Sequence, residues 1–216
     1  MKATLTTLLL MLCVLLGAVS PTSATWVTIY IEGVVDTVHD YGNYLEGQIN
    51  VGDPITGYYT YDTDTLDTNP IMQVADYEYY SQPSGATLVV GGIDFGTDLT
   101  NVSFVMELIN DYVSGSLHDS FGWISYNNIS NPIGLSLGQL SWWLRDDTAT
   151  ALSGTGLPVA SPVLEDWTSN VLRIEGYNDA FFLVQGHVTS AVPEPTTLLL
   201  IGLGTMGLIV RRTSKS

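Results

Sequence analysis

The chain is short of cysteine and of basic residues, and each shortage excludes something. Among 216 residues the single cysteine is Cys13, close to the N-terminus. The body of the chain, residues 25–190, therefore holds no disulfide, no catalytic thiol and no thiolate-bound metal. Lysine is missing from that body, and arginine occurs there only as Arg145 and Arg173, against twenty-one acids, a net charge of −19. A surface of this sign repels phosphate backbones and anionic headgroups, which excludes nucleic acid as a partner. Most of the carboxylates read simply as a solvated face. A convincing stretch of helical period is missing too, and so is any nucleophile elbow.

The two ends carry what the body lacks. Lys2, the apolar run 8–17 and the small residues of 18–24 form the three-part pattern of a secretory signal peptide. Its apolar core is about ten residues, where a membrane span needs about twenty. Thr22 and Ala24 are the small residues that signal peptidase reads, so cleavage is expected after Ala24. Cys13 follows Leu12, which does not make a lipoprotein box. At the other end stand Val192, Pro193, Glu194 and Pro195, then residues 196–210 without a charge, then Arg211 and Arg212. As a helix the uncharged run would measure about 22 Å, short for a span unless the arginines snorkel and the bilayer thins. The basic cluster beyond it predicts a cytoplasmic C-terminus and a body on the exported side. Gly202, Gly204 and Gly207 match a dinucleotide-binding fingerprint by spacing alone; no βαβ unit surrounds them, and close helix packing explains them better.

This order of Pro-Glu-Pro, apolar run and arginine pair resembles the PEP-CTERM sorting signal of exopolysaccharide-producing Gram-negative bacteria. The resemblance implies recognition by exosortase, a membrane-embedded cysteine peptidase, through Val192, Pro193, Glu194 and Pro195. It implies delivery to the cell envelope, surface or extracellular matrix, with a transient membrane anchor. An ordinary C-terminal anchor with a proline-rich stem is the alternative. The expected organisation is a signal peptide over 1–24, a domain over 25–190 and a sorting tail over 191–216.

Within the body, short runs rich in Val, Ile, Thr, Tyr, Phe and Trp alternate with Gly, Asn, Asp and Pro. Strands are expected at 25–36, 44–51, 54–61, 86–90, 93–95, 101–109, 121–126, 134–144, 171–174 and 180–189. Gly91-Gly92 reads as a two-residue hairpin turn. Many strands without crossover helices predict an all-β, antiparallel two-sheet sandwich, jelly-roll-like, flanked by the signal helix and the short apolar tail helix. Val27, Ile29 and Ile31 should share a buried face, with Trp26, Thr28 and Tyr30 opposite. Trp142 and Trp143 are adjacent, so they must point to opposite sides. The stretch 47–69 and residues 89–95 are similar to a domain that recurs in proteins bearing this tail, which again implies a β fold.

Few residues offer chemistry. Asp62, Asp64, Asp67 and Asn69 follow a strand at spacings that suit hard-oxygen coordination of calcium. The pattern lacks the glycine and glutamate of a helix–loop–helix calcium loop, and the same residue types also build plain polar turns. Tyr58, Tyr59, Tyr61, Tyr77, Tyr79 and Tyr80 surround that loop; their rings could stack on sugars or pack as ordinary strand residues. His118-Asp119-Ser120 holds triad residue types, but adjacency in sequence does not give triad geometry. His39, His118 and His187 are scattered, and Glu107 with Asp111 is one of many chance acid pairs. The expected function is a non-catalytic structural or adhesive domain. Its alternative is a calcium-dependent carbohydrate-binding module whose partner is extracellular polysaccharide.

Overall fold

The computed structural model describes residues 26–114, 116–131 and 137–194. The expected signal helix and apolar tail helix lie outside them. Among the described residues eleven strands form: β1 (Trp26–Asp40), β2 (Pro54–Asp62), β3 (Val74–Tyr79) and β4 (Gly85–Val90). They continue as β5 (Ile93–Thr97), β6 (Phe104–Ser114), β7 (Ser116–Ser125) and β8 (Asn128–Asn131). β9 (Leu137–Asp146), β10 (Ser169–Asn178) and β11 (Ala180–Pro193) complete the set. One 3-10 turn, Leu164–Asp166, is the only helical element among the described residues.

The fold is all-β, but it is a barrel and not a two-sheet sandwich. Pairing runs β10-β11-β1-β2-β4-β5-β8-β9, and β9 pairs again with β10 to close the ring of eight. From β9 the sheet also continues outward through β7 and β6 to β3. Period-two alternation reports only that one face of each strand is buried, and both architectures satisfy it. What selects closure is the long curved wall. β1 has fifteen residues and two register shifts against β11, and bulges of this kind sharpen twist and bend a strand. Glycine lets the backbones approach where the wall bends. A Cβ on Gly57 would lie 2.2 Å from the Thr87 carbonyl oxygen, and one on Gly186 would lie 2.3 Å from that of Val34.

Inward residues follow the expected alternation on β1: Val27, Ile29 and Ile31 are buried, while Trp26 and Tyr30 are exposed. Trp142 is fully buried and Trp143 turns outward, where its ring lies over Gly122. The β7–β6–β3 extension turns its inner face into the same core. Tyr59 on β2 meets Trp123 on β7 at 5.8 Å and Trp142 on β9 at 5.9 Å between ring centres. Gly91 and Gly92, at φ 59° and 80°, make the expected tight turn between β4 and β5.

The stretch 44–51 is turn rather than strand. The Asp40 carboxylate accepts the N–H groups of Tyr44 and Leu45, both at 2.8 Å, and curls the chain there. Leu45 and Ile49 are nonetheless buried, so the apolar signal was that of a packed turn. A long connection, 147–168, lies over the core and is tied down by polar side chains. Tyr61 and Tyr77 donate their hydroxyl hydrogens to the carbonyls of Pro158 (2.7 Å) and Thr155 (2.8 Å). The buried Asp119 carboxylate accepts from Leu152 N–H at 2.8 Å. Asp146 accepts from the N–H groups of Thr148, Thr150 and Ala151, and these bonds hold its pKa down at about 2.

Candidate functional site

β11 carries the first residues of the proline-rich stem into the barrel wall. Val192 pairs with Tyr30 and Pro193 with Ile29. Glu194 then donates its N–H to the Thr28 carbonyl at 2.9 Å. In an antiparallel ladder, successive residues turn their backbone groups to opposite sides. Since Glu194 bonds toward β1, the nitrogen of Pro193 faces away from it. On that far side β10 has already ended, the last pair in this direction being Leu172 with Gly186. A proline there forfeits no ladder bond. The side chains of Val192, Pro193 and Glu194 are all exposed. Pro195, Arg211 and Arg212 lie outside the described residues.

The acidic loop 62–69 folds along the free edge of β3. Asp67 forms an isolated bridge with Tyr77, and its carboxylate accepts the N–H of Asn69 at 2.8 Å and of Asp76 at 3.0 Å. Asp62 accepts from Asp64 N–H at 3.0 Å, and the Asn69 side-chain oxygen accepts from Ile71 N–H at 2.9 Å. The Asn69 amide donates to the Asp76 carboxylate at 2.8 Å. Asp62, Asp67 and Asn69 thus act as local turn acceptors, Asp64 donates its N–H, and the loop covers a strand edge that would otherwise stand open. No group of three His, Cys, Asp or Glu side chains among the described residues is placed to hold a metal ion.

The tyrosines around this loop divide sharply. Tyr59, Tyr61, Tyr77 and Tyr79 are buried, whereas Tyr58 and Tyr80 are exposed. Period two places the first four on inward positions, where the rings pack and the hydroxyls of Tyr61, Tyr77 and Tyr79 donate to backbone carbonyls. Residues 118–120 are also buried, and each spends its polar atoms on backbone. His118 Nδ1 lies 2.9 Å from the Ser116 carbonyl oxygen, Asp119 accepts from Asp111 and Leu152, and Ser120 donates to Leu144. They form no triad. His187 sits on the outer wall against Asp36 at 2.9 Å.

Residues 191–212 match the model of the PEP-CTERM protein-sorting motif. The chain carries a PEP-CTERM sorting motif. That motif implies processing by exosortase and an exported, cell-surface protein. No curated protein and no solved structure matches the chain. No helix among the described residues is long and apolar enough to cross a membrane.

With the PEP-CTERM motif placed, two features stand out that the sequence did not expose. The first is that Val192, Pro193 and Glu194 lie within the β1–β11 ladder; β-propensity gives no warning of a strand built on Pro193. The second is a carboxyl pair. Asp76 on β3 and Glu107 on β6 are direct cross-strand partners. Burial, then the neighbouring Asp76 carboxylate and the hydrogen bond to it, push Glu107 up to about 7. Its cross-strand neighbour on the other side is Gly122, beneath the Trp143 ring. Strand register makes this pair, not the sequence proximity of Glu107 and Asp111. Asp111 instead occupies the irregularity between Ile109 and Tyr112, at φ 55°.

Proposed function

We propose that this protein is a non-catalytic structural or adhesive barrel of the cell envelope, surface or extracellular matrix, handed to its destination by its PEP-CTERM tail. The observation that carries the reading is the sorting motif at 191–212, joined without a spacer to the last barrel strand. The leader and the basic cluster at Arg211 and Arg212 support the same orientation, with the barrel outside and the tail crossing as a transient anchor. A non-catalytic role is supported by how the candidate groups are used, since the acids and hydroxyls at 62–69 and 118–120 stabilise turns and strand edges. The test is intact mass of the mature protein from its host and from a host lacking exosortase. The expected result is loss of residues 196–210 only where the peptidase is present; a full-length tail in both hosts would make that run a plain membrane anchor.

Carbohydrate binding is the second reading, and a different feature from the acidic loop favours it. A shallow recess of about 330 Å³ opens on the outer wall between β9, β10 and β11. The exposed rings of Tyr177 and Phe181 line it beside Gln139 and Glu175. Flat rings next to polar side chains suit the two kinds of surface on a sugar. Binding to a glycan panel, with and without Ca²⁺, addresses this directly. We expect Tyr177→Ala to weaken any binding about tenfold, consistent with one lost stacking contact; silence of the wild-type protein across the panel removes the reading. A response that depends on Ca²⁺ would bring Asp62, Asp64, Asp67 and Asn69 back as ligands.

A further inference from the structure

We propose that residues 190–194 form a latch that must peel from β1 before the sorting peptidase can use the motif. The inference rests on the sorting reading above. Four observations define the latch. First, the motif residues Val192 and Pro193 are paired with Tyr30 and Ile29, and Glu194 is bonded to Thr28. Second, a register shift sets this end apart: Glu32 pairs with Ser190 but Gly33 with Val188, so Thr189 is an extra residue on β11. An extra residue of this kind breaks ladder continuity and gives a strand a place to bend. Third, beyond the shift β11 is held on one side only, because β10 pairs no further toward the chain end than Leu172 with Gly186. Fourth, apolar burial thins beyond the same place, where Ala191 is only partly buried against the core. Val188 is 2% exposed, whereas Val192 is 49% exposed.

The distances make the latch matter. With the rungs closed, only Pro195 separates Glu194, the last bonded residue among those described, from the uncharged run 196–210. A membrane-embedded peptidase would meet a motif whose backbone is half occupied and whose flank is the barrel wall. Peeling at Thr189 turns residues 190–195 into a tether of about 20 Å at full extension. That length clears the wall and offers both backbone edges. Opening breaks a few single-sided rungs and exposes little apolar surface, so it draws on the low-stability end of the fold. The barrel itself, closed upstream of Val188, stays intact.

The experiment compares three full-length chains in a host that has the sorting peptidase. One is wild type. The second is E32C/S190C, whose cysteines sit on directly paired residues and leave the motif untouched. The only other cysteine, Cys13, lies in the leader. The third carries Gly-Ser-Gly-Ser between Ala191 and Val192, which moves the motif past the last rung. Tail removal is followed by pulse-chase and intact mass. Because processing requires the open form, its rate scales with the open fraction, and the oxidised pair should slow it about tenfold or more. Reductant should restore it, and the insertion should speed processing. Equal rates for oxidised and reduced E32C/S190C overturn the latch. Should the disulfide not form, the insertion decides alone: faster tail removal supports the latch and an unchanged rate overturns it. A wild-type tail that is never removed overturns the sorting reading instead, which keeps the two failures distinct.

Discussion

At the scale of single residues, Glu107 is where the fold works against its own charge. Its carboxyl faces Asp76 across the β3–β6 ladder, and its pKa is raised from 4.5 to about 7 by burial first and by Asp76 second. The sign follows from proton counting. Between pH 4.5 and 7 the unfolded chain releases this proton while the folded chain keeps it, so the unfolded state gains relative stability as pH rises. The fold is therefore less favoured at pH 8 than at pH 4 as far as this group is concerned. Glu107→Gln imitates the protonated acid, since its amide donates to Asp76 without titrating. We expect the variant to match wild type near pH 4 and to exceed it at pH 8 by about 1–2 kcal/mol, a figure lowered for the partial exposure of the group. Denaturant unfolding at the two pH values measures it. A pH-independent difference would show that packing, rather than the shared proton, governs the site. Asp146 works in the opposite direction. Its pKa is depressed to about 2 by backbone N–H bonds, so its contribution is present above pH 4 and fades as pH falls toward 2.

At the scale of elements, the parts that could be read in the sequence were those governed by local pattern. Val27, Ile29 and Ile31 alternate with Trp26, Thr28 and Tyr30, and the strand follows. Gly91-Gly92 supplies two positive-φ residues, and the hairpin follows. What escaped was set by partners distant in sequence. β3 reads Val-Ala-Asp-Tyr-Glu-Tyr, short and acidic, and its strand character comes from the ladder with β6 and the cover of loop 62–69. β8 has only four residues and lies between polar neighbours, yet it joins β5 to the closing seam. The tyrosines show the same limit at the candidate site. Tyr59, Tyr61, Tyr77 and Tyr79 alternate correctly, but alternation does not say which face is inward. Stacking on sugars needs them outward and ordinary strand packing needs them inward; the structure buries all four. The sorting motif was legible as a motif, because it is a short linear signal. Its engagement with Thr28, Ile29 and Tyr30 was not, because that depends on a register between residues more than 150 positions apart.

At the scale of the whole molecule, closure of the barrel depends on its last strand. β1 pairs with β2 on one side and β11 on the other, so the first and last strands share a seam. Val38 pairs with Val184 and Ile31 with Ala191, and until β11 exists both β1 and β10 present open edges. Such edges invite pairing with other chains. β11 also supplies Phe182, Val184 and Val188 to the core, so its absence leaves a hole as well as an edge. Three chains starting at residue 25 separate these contributions. One ending at 194 keeps every described rung and should unfold cooperatively. One ending at 189 loses only the rungs beyond the register shift and should be weaker by about 2 kcal/mol or less, the scale of a few net hydrogen bonds. One ending at 179 lacks the seam and should show no cooperative transition, with aggregation on refolding. If the chain ending at 189 failed like the chain ending at 179, the terminal rungs would be part of the barrel's cooperative core and could not open alone. If it unfolds nearly as the complete barrel does, the end of β11 is separable from the domain it closes. The same strand then has two duties divided at Thr189: upstream it completes the wall, and downstream it holds the sorting motif until the wall is built.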